Sequence, residues 1–66
     1  MSVFQWAYLD GEGNELGRSS RFDDADAAEE WISISWQDLA ANGVQDVVLF
    51  DHVRDRHVYR MGLGAE

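Results

Sequence analysis

From Val3 to Leu9 the chain alternates with a period of two, as a strand does. Phe4, Trp6 and Tyr8 fall on one side, and Val3, Gln5, Ala7 and Leu9 on the other. Asp10-Gly11-Glu12-Gly13-Asn14 has the composition of a turn. Leu16 to Arg21 then returns as a second strand, weakened by Gly17, Ser19 and Ser20 and therefore placed at an edge. At Phe22 the period changes to that of a helix, which continues to Gly43. Asp46 to Val53 is the most apolar strand, Val53 to Arg56 turns it, and His57 to Leu63 comes back. The order strand, strand, helix, strand, strand predicts an α+β fold. Four antiparallel strands form one sheet, with a single helix packed across one face. Residues 1–66 make one small domain, with 62–66 as a frayed tail.

The helix carries its own start and stop signals. Asp23 is the expected N-cap, Asp26 stands at a capping-box-like spacing and Phe22 at the position of a hydrophobic staple. Asn42-Gly43 offers a left-handed residue to end it. At about 100° per residue two apolar stripes appear. Ala25, Ala28, Ile32, Trp36 and Leu39 are expected to face the sheet, and Ala27, Trp31, Ile34 and Ala41 to point away.

The last hairpin fits two nearby registers with one division of faces. Val48, Phe50, His52, His57, Tyr59, Met61 and Leu63 share one side and, with Phe4, Trp6 and Tyr8, are expected to receive the helix. Val47, Leu49, Asp51, Val53, Val58 and Arg60 share the other. That leaves Val3, Ala7, Leu9, Val47, Leu49 and Val58 on an uncovered sheet surface. One register sets Asp51 directly opposite Arg60 as a cross-strand ion pair; the other sets His52 opposite His57. Two apolar surfaces therefore await contacts, one on the helix and one on the sheet. The residues expected to bind a partner are Ala27, Trp31, Ile34, Val47 and Leu49.

Composition strengthens the case for association. Sixty-six residues bury a small core, and the absence of cysteine removes disulfides and thiolate metal sites. A homo-oligomer, a dimer first of all, is the expected support. The net charge is −8. Residues 1–51 hold eleven acidic side chains against Arg18 and Arg21, and lysine is absent throughout. Five arginines on that background are too few for a nucleic-acid surface, so no direct nucleic-acid binding is expected. No leader and no apolar run of membrane-spanning length is visible, which reads as a cytoplasmic protein with no membrane contact.

Reaction signatures are missing. The loop from Asp10 misses the calcium-loop pattern, with Glu15 at its sixth position and Arg21 at its twelfth. Gly11, Gly13 and Gly17 miss the dinucleotide spacing. Asp51, His52, Asp55 and His57 are the densest set of possible metal ligands, but only two imidazoles share a side. Ser19, Ser20, Ser33 and Ser35 lie in no nucleophile context. The reading is not an enzyme, with no catalytic, metal or cofactor site.

The pattern Tyr8-Leu9-Asp10, Gly17-Arg18-Ser19, Phe22, Ala27-Ala28-Glu29-Glu30-Trp31, Gly43-Val44 and Val58-Tyr59-Arg60-Met61 resembles a group of small, acidic, uncharacterised ββαββ proteins of high-GC bacteria. The resemblance covers nearly the whole chain, implies the ββαββ layout and carries no activity. The function expected first is a homo-oligomeric, protein-binding accessory or adaptor domain. A second reading is an acidic mimic of nucleic acid, a competitor for a basic partner, with Asp23, Asp24, Asp26, Glu29, Glu30 and Asp38 as its strip. A third is a small metal-binding protein at the last hairpin.

Overall fold

Trp6 stands where the sheet meets the helix, fully buried, and its indole Nε1 donates to the Ala28 carbonyl oxygen at 2.9 Å. It belongs to β1 (Phe4–Leu9), a central strand paired on both sides, with the strand that follows it in sequence and with the first strand after the helix. The others are β2 (Glu15–Phe22), α1 (Ala25–Ala41), β3 (Asp46–Asp51) and β4 (Arg56–Gly62). A computed structural model describes residues 3–63 of the chain. All pairings are antiparallel, in the order β2-β1-β3-β4, and α1 packs across one face. This is the α+β, ββαββ architecture read from the sequence.

The core is Trp6, Ala28, Ile32, Val44, Val47, Leu49 and Leu63. Leu63 is buried and its amide donates to the Gln45 carbonyl at 2.8 Å, so the ordered chain extends past Gly62, into the stretch 62–66 expected to fray. Residues 64–66 of that tail lie outside the described residues. The accessible surface is 4243 Å², close to the ~4,200 Å² that size scaling gives for a folded chain of this length. A single copy is thus already compact.

The helix starts one residue later than expected. Asp24, not Asp23, is the N-cap: its backbone is extended and its carboxylate accepts the Ala27 amide at 2.8 Å. The third helical position is then Ala27, so no capping box forms with Asp26. Asp24→Ala should cost about 1 kcal/mol, read as a lowered urea midpoint with unchanged slope. The stop is as the sequence implied. Gly43 has φ of 92°, its amide reaches the Ala40 carbonyl, and the Val44 amide reaches Leu39. Those two bonds make a Schellman motif, closed by buried Val44.

The helix is rotated from the expected phase. Ala28 and Ile32 are buried, but Trp36 is 39% exposed, whereas Trp31 is half-buried. Trp31 stacks on Tyr8 at 6.5 Å and tilts onto Phe22 at 5.7 Å. Relative to Ala28, Trp31 lies about 60° to one side and Trp36 about 80° to the other. Sequence spacing cannot choose between two such close offsets; the aromatic pocket of Tyr8 and Phe22 does.

A second correction concerns β3. Val47 and Leu49 face the helix, fully buried, while Val48 and Phe50 lie on the open face. Register decides it: Trp6 pairs with Leu49 and Tyr8 with Val47. Asp51 ends the inward row, 2% exposed, and its carboxylate accepts the amides of Val53 and Arg54 and pairs with the Arg54 guanidinium at 3.0 Å. Those bonds, led by the Arg54 amide, hold its carboxyl below the usual range. The expected Asp51–Arg60 pair does not exist, because Arg60 bonds Asp46 instead. Strand β4 is also bulged, with Leu49 opposite Tyr59 and Phe50 opposite His57, so Val58 is the extra residue. The bulge sends His57 to the open face while Tyr59 stays under the helix, edge-on to Trp6 at 5.8 Å.

Tyr59 ties the sheet to the helix from the other side, its hydroxyl donating to Glu29 Oε2 at 2.9 Å. Burial, then the adjacent Glu29 carboxylate, pushes its pKa up to about 12 from 10.0. A raised pKa gives stability that is complete below pH 10 and is lost as pH rises through about 12. Tyrosinate absorbance of the folded protein should therefore lag the unfolded chain above pH 10, and Tyr59→Phe should shrink the lag. Tyr8, also raised by burial, accounts for what remains.

Candidate functional site

The helix covers one face of the sheet, and the other face is where the chain has exposed structure left to use. Antiparallel pairing sets its residues in three rows across the strands. Arg21, Gln5, Phe50 and His57 form the first row. Arg18, Ala7, Val48 and Arg60 form the second, and Glu15, Leu9, Asp46 and Gly62 the third. Ala7, Leu9, Val48 and Phe50 thus share the two middle strands with Gln5 and Asp46, and the edges carry Arg18, Arg21, Glu15 and Arg60. Ala7, Leu9, Val48 and Phe50 are half-buried, and Val58 at the bulge is 39% exposed.

The polar groups of this face are largely engaged with one another. Arg18 Nε donates to Glu15 Oε2 at 2.6 Å on the β2 edge, and Arg60 bonds Asp46 on the β4 side. Gln5 is held at both ends: its Nε2 donates to the Ser19 carbonyl at 2.8 Å, and its Oε1 lies 2.9 Å from His52 Nε2. The Trp6 amide, left over at the β2 bulge, donates to Ser19 Oγ at 2.9 Å. What this arrangement offers a partner is apolar surface with a neutralised rim. A shallow groove lined by Gln5, Ala7, Glu15, Arg18, Phe50 and His57 runs along it.

Of the residues expected to bind a partner, the structure does not make one surface. Val47 and Leu49 are fully buried beneath the helix and offer nothing to a partner in the folded chain. Trp31 is occupied by Tyr8 and Phe22, and Ala27 is half-buried. Ile34 is 74% exposed on the helix. Val48 and Phe50, assigned to the core by sequence, take the place of Val47 and Leu49 on the open face. Ala7, Leu9 and Val58 stand there as expected.

The two histidines do not meet. The Phe50 ring lies between them, with centroids 4.7 Å from His52 and 5.3 Å from His57. No cluster of three or more potential metal ligands occurs among the described residues. The loop at Asp10 uses its carboxylate on its own backbone, accepting the Glu12 amide at 2.8 Å and the Asn14 amide at 2.9 Å. These bonds, the Asn14 amide first, lower the Asp10 pKa. On the helix, Asp24 caps the N-terminus and Glu29 receives Tyr59. No helix among the described residues is long and apolar enough to cross a membrane.

Comparison with known family models, with curated proteins and with solved structures returned no match.

Proposed function

We propose that this chain is a small protein-binding domain of the accessory or adaptor kind, and that its contact surface is the open face of the sheet. One observation carries the reading: Ala7, Leu9, Val48, Phe50 and Val58 form an apolar strip that no element among the described residues covers. An antiparallel sheet with one solvated face normally alternates apolar-in and polar-out, and here Ala7, Leu9, Val48 and Phe50 take four of the six outward positions of the central strands, beside Gln5 and Asp46. Contiguous apolar surface of this kind marks a contact site. The rim's own ion pairs add little energy, being exposed, but they set the outline within which a partner must fit.

The test is retention from a lysate of the native host on immobilised domain, followed by rebinding of the purified retained protein. Wild type and Ile34→Asp should bind it alike, at low and at high salt, and Val48→Asp should not. Equal retention by Val48→Asp overturns the open face as the contact surface. Binding that disappears with added salt points instead to the acidic strip on the helix.

A further inference from the structure

We infer that the occupant of the open face is a second copy of the same chain, held face to face as a reversible, two-fold dimer with the two helices outermost. The inference rests on the proposed contact surface and names its partner. Charge is the first argument. At −8, two copies repel at nearly every approach. The acid is concentrated at and along the helix, in exposed Asp23, Asp24, Asp26, Glu29, Glu30 and Asp38, on the far side of the sheet. The open face instead carries Arg18, Arg21 and Arg60 against Glu15 and Asp46. It is the side on which another copy meets no excess of acid, and stacking the sheets sets the acidic helices as far apart as the fold allows.

Self-complementarity is the second. A two-fold interface asks one patch to match itself. A patch with an apolar centre and both signs of charge at its rim meets that condition. A strongly basic partner, by contrast, is better served by the helix. The third argument is size. Four strands about 4.8 Å apart and six residues rising about 3.3 Å each give a face of roughly 400 Å² in projection. Two copies bury on the order of 1,000 Å² of accessible surface, the range of weak and reversible complexes. One copy already has the accessible surface of a compact chain of its size. Area alone does not set affinity, but an interface at the low end of the size range is expected to leave monomer and dimer both populated at micromolar to millimolar protein.

The experiment is sedimentation equilibrium from micromolar to millimolar protein, with hydrogen exchange measured at both ends of the range. A monomer–dimer equilibrium is expected, tightening as salt screens the net repulsion. Slower exchange at high concentration should be confined to the four strands and absent from α1. Val48→Asp should weaken the dimer at least tenfold, and Ile34→Asp should leave it unchanged. Val58→Asp, at an exposed site, gives the same test should Val48→Asp fail to fold. A protein that stays monomeric to millimolar concentration overturns the second copy as occupant, while the open face is judged separately by lysate retention. A dimer lost in Ile34→Asp and kept in Val48→Asp and Val58→Asp overturns the occupant and the surface together.

Discussion

Trp6→Ala is expected to leave no cooperative folding transition. Trp6 is fully buried, packs edge-on to Tyr59 and bonds the Ala28 carbonyl, so its loss opens a cavity that sheet and helix share. Truncating a buried aromatic of this size costs about 3–5 kcal/mol. A chain of 66 residues has about 3–10 kcal/mol in all. Trp36→Ala is the control, because a side chain 39% exposed on the outer helix should cost under about 1 kcal/mol. Far-UV circular dichroism through a thermal ramp separates the two. Loss of the melt in Trp36→Ala would restore the helix phase that spacing alone suggested, and a cooperative melt in Trp6→Ala would remove Trp6 from the centre of the core. Trp6→Phe should recover a melt at lower temperature, since it refills most of the cavity but leaves the Ala28 carbonyl without the indole donor.

Where the sequence was clear, each signal was local. Alternation in Phe4-Gln5-Trp6-Ala7-Tyr8-Leu9 defines β1 and its inward side, and Asn42-Gly43 stops the helix because glycine reaches φ of 92° without strain. Where it was not, the deciding contact was distant or the pattern degenerate. Asp23 and Asp24 are equally good caps by composition, and in the fold it is Asp24 that has the extended backbone and accepts the Ala27 amide. Trp31 and Trp36 straddle the helix seam almost evenly, and the aromatic wall that takes Trp31 comes from β1 and β2. His57 and Tyr59 should share a side at their spacing, but the bulge at Val58 sets them on opposite faces. The candidate site suffered most, because its membership depends on β3, where alternation is absent.

That strand supplies the second large effect. In Asp46-Val47-Val48-Leu49-Phe50-Asp51 the four central residues are all apolar, so a period of two can begin on either foot. A slip of one residue exchanges the whole core row for the whole surface row. Pairing with β1 settles it, through Trp6 opposite Leu49 and Ala7 opposite Val48. Adjacent positions should then respond oppositely to the same change. Leu49→Asp sets a carboxylate at a site with no exposure, amid the apolar core, at a cost of several kcal/mol. The result expected is an unfolded chain at neutral pH, with near-ultraviolet dichroism lost. Val48→Asp sets the same carboxylate on the open face, directly opposite Arg60 on β4 and two strands from Arg18 on β2, and the monomer should melt within a few degrees of wild type. If Val48→Asp unfolds while Leu49→Asp folds, β3 is inverted. Val47 and Leu49 would then lie on the contact surface, and Val48 and Phe50 in the core.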